Sequence, residues 1–162
     1  MKKSIFYVLA LMAAVVSCDK LDTENEEEKK NEPEVEAIDT LFCSGTLVAE
    51  ASSGTVTTPD TRISVNYTDK ADSVSISIYQ AKLAQRMPAM DIIIPNITLT
   101  KNGGVDAITS ATSVPLAMGT EFPNYTVTEF TGKIDGDSIS FSLKFGKTPT
   151  SFSGAKISVT EE

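Results

Sequence analysis

Few side chains in this chain are equipped for chemistry. Its 162 residues contain no histidine and two cysteines, Cys18 and Cys43. The usual general base, the usual partner of a nucleophile and the commonest metal ligand are therefore missing. Carboxylate pairs remain: Asp135 and Asp137 flank Gly136, and Asp69 and Asp72 bound the run Asp69-Lys70-Ala71-Asp72. Both read as turn residues, because Asp beside Gly or in a short polar run bonds nearby backbone and helps reverse the chain. A Ca²⁺ site needs about six or more oxygens, of which this stretch offers a fragment. No phosphate-cradling glycine loop and no nucleophile elbow occurs. The expectation is a protein that is not an enzyme and uses no cofactor and no metal.

Cys18 is the thiol whose surroundings point to a reaction. It follows Met1-Lys2-Lys3, an apolar run from Ile5 to Val16, and Ser17. Two lysines ahead of about a dozen apolar residues form a secretory signal, short of the ~20 residues needed to span a bilayer. The tetrad Val15-Val16-Ser17-Cys18 resembles the lipobox of bacterial lipoproteins. That resemblance implies removal of residues 1–17 and a diacylglyceryl group on the Cys18 sulfur. Membrane lipid is then the first expected partner. At ~0.8 kcal/mol per buried CH₂, two or three acyl chains make the attachment permanent, at the cell envelope, on the outer membrane, with either leaflet open. Cleavage by ordinary signal peptidase, leaving Cys18 unmodified on a soluble product, and an uncleaved anchor are the competing readings. With Cys18 lipidated, Cys43 has no disulfide partner, and its apolar strand context reads as a small core residue.

Residues 18–39 carry the protein's charge imbalance. Residues 19–39 hold ten acids and three lysines, against twelve acids and nine bases in residues 40–162. With Glu24 to Glu34 almost wholly polar and no aromatic residue, this stretch cannot bury enough surface to fold and reads as a disordered, acidic tether. As a coil it would average about 25 Å end to end. Nucleic acid is not an expected partner, since phosphate binding needs Lys and Arg clustered on one face.

From Thr40 to Glu162 the pattern changes to period two. Ser73-Val74-Ser75-Ile76-Ser77-Ile78 and Ser138-Ile139-Ser140-Phe141-Ser142-Leu143-Lys144-Phe145 alternate a dry and a wet face, the signature of half-buried strands. Further strands are read at Leu41–Ala49, Arg62–Tyr67, Asp91–Lys101 with a break at Pro95, Val105–Thr109, Tyr125–Ile134 and Phe152–Val159. Asp135-Gly136, Asn102-Gly103-Gly104 and Asp69 to Asp72 supply the hairpin turns. In Tyr125–Ile134 the apolar residues switch from odd to even positions, which predicts a bulge near Glu129. This is an all-β antiparallel domain of about eight short strands. Period two alone does not separate a sandwich from an up-and-down barrel; Gly45, Gly132 and Gly154, each inside a strand, favour the bends a barrel needs.

Four stretches, Cys43-Ser44-Gly45-Thr46-Leu47, Met87-Pro88-Ala89-Met90-Asp91-Ile92, Thr131-Gly132-Lys133-Ile134-Asp135-Gly136-Asp137-Ser138 and Phe152-Ser153-Gly154, together resemble the small calycin-like, or lipocalin-like, β-barrel lipoproteins of Bacteroidetes. The likeness covers most of residues 40–162. It implies an eight-stranded barrel in which the glycine-bearing first and last strands meet. The chain departs from true lipocalins in having no Trp. The acidic run after Cys18 is similar to a surface-export signal of the same bacteria, and Asp39-Thr40-Leu41 to their O-glycosylation acceptor.

Binding residues are sought where apolar side chains meet a barrel end or its interior. Met87 and Met90 are adaptable apolar groups at a barrel mouth, and Tyr67 and Phe141 are interior aromatics. The competing view is that the methionines plug the end and the aromatics fill the lumen, which eight strands leave just wide enough for side chains. The expected function is a lipid-anchored, monomeric binding module for a small apolar or amphipathic ligand. The alternative is a structural or interaction lipoprotein whose filled barrel docks a protein or glycan.

Overall fold

Alternation of apolar and hydroxyl residues makes strands here, and the computed structural model describes residues 39–70 and 72–158. The signal segment, Cys18 and the tether lie outside the described residues. The elements are β1 (Asp39–Ala51), β2 (Gly54–Tyr67), β3 (Ser73–Ala81), β4 (Met90–Thr100), β5 (Val105–Ser113), β6 (Leu116–Ala117), β7 (Thr120–Glu121), a 3₁₀ turn (Pro123–Tyr125), β8 (Val127–Asp135), β9 (Ser138–Phe145) and β10 (Thr148–Lys156).

Eight long strands run up and down as one meander. The spatial order is β3-β2-β1-β10-β9-β8-β5-β4, and a β3–β4 pairing closes the ring. Every pairing is antiparallel. The glycine-bearing first and last strands do meet, with Gly45 opposite Gly154. A Cβ on Gly45 would run into the backbone of Ser153 and Gly154, so only glycine lets the strands close at this point. Gly132 stands opposite Phe141, and a Cβ there would lie 2.6 Å from that residue's Cβ.

Four positive-φ residues other than glycine sit where the ladders shift register. Asp60 (φ 55), Gln80 (φ 53), Asn96 (φ 58) and Glu129 (φ 55) fall within the shifts opposite Gly45/Leu47, between Ile78/Ala81, opposite Val74/Ile76 and between Thr128/Thr131. Each is a bulge that bends its strand; at Gln80, Asn96 and Glu129 it keeps apolar residues inward on both sides, and at Asp60 the inward neighbours are Thr58 and Thr61. The bulge read at Glu129 is present. The break expected at Pro95 is instead a bulge within a continuous β4, with Ile94 and Ile97 both buried.

Several strands outrun their sequence-based limits. β2 begins at Gly54 and β10 at Thr148, because Thr-rich stretches without large apolar residues carry little periodic signal. Asp39-Thr40-Leu41 belongs to β1, where the Thr40 hydroxyl donates to Asn66 Oδ1 at 3.3 Å. The β5–β8 link holds a two-stranded tab, β6–β7, hung on β4 through Ile92↔Ala117 and Ile93↔Leu116.

Side chains occupy the lumen. Phe130, Phe141 and Phe152 form a continuous stack with ring centroids 5.4 and 5.3 Å apart. Around them pack Leu47, Ile63, Ile76, Ile94, Ile97 and Ile108, each no more than 1% exposed. Such offset ring pairs add about 0.5–1.5 kcal/mol each beyond their area burial.

Candidate functional site

The sequence-predicted binding residues are spread along the barrel axis. Met87 and Met90 lie at the end carrying the β3–β4 loop, packed with fully buried Leu83 against the core. Tyr67 closes β2 at the opposite end, beside the β4–β5 and β8–β9 turns. Phe141 is the middle ring of the stack, 4% exposed. The four residues are in one barrel but not in one site. Met87 and Met90 cap their end, and Phe141 fills the centre.

At the Tyr67 end a depression of about 290 Å³ is lined by Leu41, Tyr67 and Ile134 with Asp106 and Lys156 at its sides. Asp106 Oδ1 accepts the Asn102 backbone N–H at 3.3 Å, and the Lys156 N–H donates to the Asp137 carbonyl at 2.6 Å. Asp135 and Asp137 flank the Gly136 turn (φ 54), the role their neighbourhood predicted.

A larger groove, about 410 Å³, runs along the outer wall and is lined by Phe42, Arg62, Tyr79, Gln80 and Asp91. Four consecutive strands contribute: Phe42 from β1, Arg62 from β2, Tyr79 and Gln80 from β3, and Asp91 from β4. The β3 bulge creates the groove's edge. Alternation along β3 ends in two successive exposed residues, Tyr79 and Gln80, before Ala81 returns to the interior. Gln80 is held in its left-handed conformation by Asp91, whose Oδ1 accepts both the Gln80 backbone N–H at 2.8 Å and its side-chain Nε2 at 3.2 Å. A non-glycine residue at positive φ costs about 1–3 kcal/mol and persists only where its surroundings fix it.

Tyr79 is fixed as well. Its hydroxyl pairs with Ser64 Oγ at 3.1 Å, and Asn66 Nδ2 reaches Ser64 Oγ and Ser77 Oγ, each at 3.4 Å. The tyrosine remains 36% exposed while Ser64 is 1% exposed. Arg62 carries no ion pair: among the described residues the ion pair is Lys144–Glu129, 2.7 Å apart on another part of the wall. The groove thus offers an unpaired cation, a carboxylate with one oxygen uncommitted, a primary amide and two aromatic rings.

None of the five lining residues was singled out from the sequence. A signal exists: Phe42 and Tyr79 are aromatic residues at wet-face positions, between Thr40 and Ser44 on β1 and after Ser73, Ser75 and Ser77 on β3. An aromatic side chain there has no core to join.

The closed eight-stranded antiparallel barrel defines the class of this protein. Compared with protein-family models, curated proteins and solved structures, the chain matches none.

Proposed function

We propose that the protein is a lipid-anchored interaction module of the cell envelope that binds through the outer wall of its barrel. The filled lumen carries this reading. An interior closed by a phenylalanine stack and capped by Leu83, Met87 and Met90 has its volume committed to stability, and the wall groove, at about 410 Å³, is large enough to hold a ligand. The anchor rests on Lys2-Lys3, the apolar run and Val15-Val16-Ser17-Cys18, and on the likeness to calycin-like barrel lipoproteins. The absence of histidine from the sequence supports binding rather than catalysis.

A second reading, a small amphipathic ligand held at the barrel mouth, is favoured by the depression beside Tyr67, where apolar Leu41 and Ile134 adjoin Asp106 and Lys156. Native mass spectrometry of the gently purified protein separates the two. Beyond the covalent lipid on Cys18, the wall reading expects no recurrent non-covalent adduct that persists in Arg62→Ala; a recurrent non-covalent mass that Arg62→Ala retains supports the mouth instead. For the anchor, Cys18→Ser is expected to move the protein from the membrane to the soluble fraction, and unchanged membrane retention would refute it.

A further inference from the structure

We infer that the wall groove bounded by Phe42, Arg62, Tyr79, Gln80 and Asp91 binds a neutral carbohydrate chain. This rests on the outer-wall reading above and names the ligand class for it. A neutral sugar presents hydroxyls that both donate and accept around a ring whose flat side is largely C–H. The groove matches both parts: Arg62 and the Gln80 amide donate, Asp91 and the Gln80 carbonyl oxygen accept, and Phe42 and Tyr79 supply aromatic surface for the C–H side.

Other ligand chemistries fit less well. An acidic ligand would meet Asp91 and a domain with twelve acids to nine bases over residues 40–162, so the field repels it. A wholly apolar ligand would strip water from Arg62 and Asp91 without replacing their hydrogen bonds, which is costly. An extended peptide adding as a strand needs an unpaired edge, but β2 and β3, which form the groove's floor, are paired on both sides.

The groove is also prepared in advance. Gln80 is pinned by Asp91 and Tyr79 by Ser64, so little rotamer freedom remains to be lost when a ligand arrives. The two fixed side chains adjoin Arg62, whose long chain is free to adjust.

The test uses an array of immobilised neutral and uronic-acid-containing oligosaccharides probed with the purified protein. Saturable binding to at least one neutral oligosaccharide is expected. Tyr79→Ala and Arg62→Ala should each weaken it at least about tenfold, the loss typical of a hot-spot side chain. Lys133→Ala, on the β8 wall, should leave it unchanged. Arg62 is exposed, so its variant reads the site even where Tyr79→Ala disturbs folding through Ser64. Binding to no neutral oligosaccharide, binding to acidic ones alone, or binding indifferent to Tyr79 and Arg62 each overturns the carbohydrate assignment. If that happens while native mass spectra stay free of adducts, the wall reading survives without its ligand. A co-purifying small molecule that Arg62→Ala does not displace removes the wall reading itself.

Discussion

Cys43 is buried among Leu47, Ile63 and their neighbours, and that burial pushes its thiol above the ordinary value of 9.0; Asp137 acts in the same direction and Lys156 against it. Because the folded value is the higher one, the thiol weakens no stability below pH 9.0. As pH rises from there toward the folded value, the unfolded chain ionises first and stability falls. Cys43→Ala should therefore show a flatter decline in urea midpoint above about pH 9 than the parent protein. A native thiol of this kind should also resist alkylation at neutral pH until the protein is denatured. Its role as a core residue was legible, because Cys43 shares parity with Leu41 and Leu47 on one strand. The wall residues were not, because Arg62, Gln80 and Asp91 look like any solvated positions until the closing ring sets β1 to β4 side by side.

Bulges are the elements that shape this barrel, and the reason is steric. Asp60, Gln80, Asn96 and Glu129 each take a left-handed conformation at a register shift, and a strand bent at such a point can curl into a closed wall. Glu129 also pairs with Lys144 at 2.7 Å, with side chains 65% and 43% exposed. Conformation should outweigh the ion pair. Glu129→Val, which places a β-branched residue at positive φ, is expected to cost about 1–2 kcal/mol. Lys144→Ala should cost within about 0.5 kcal/mol, as for an exposed pair. Equal losses by urea denaturation would assign the bulge's stability to charge instead. The parity switch at Glu129 was readable because Val127 and Phe130 are both large. The same switch between Ile94 and Ile97 was read as a break, since Pro95 suggests an interruption when the partner strand is unknown. At Gln80 the switch passes through Tyr79, Gln80 and Ala81, whose small or amphipathic side chains blur the period.

At the scale of the whole molecule, closure and filling belong together. Eight strands leave an interior matched to side-chain volume, and Phe130, Phe141 and Phe152 use it from β8, β9 and β10, three neighbouring strands. The strand count and meander were within reach of the sequence, because turn residues recur between alternating runs. Whether the lumen was open was not, because an inward aromatic lines a cavity or fills it with the same periodicity. Removing the middle ring should be severe: Phe141→Ala is expected to lose about 3–5 kcal/mol by urea denaturation. The central claim, that the barrel is packed and binding is left to its wall, is tested most directly by diffraction from crystals of the protein under xenon pressure. Dry apolar cavities take up xenon, so the parent protein should show none within the lumen and Phe141→Ala should gain a site in the vacated space. Xenon bound among Phe130, Phe141 and Phe152 of the unaltered protein would contradict the account.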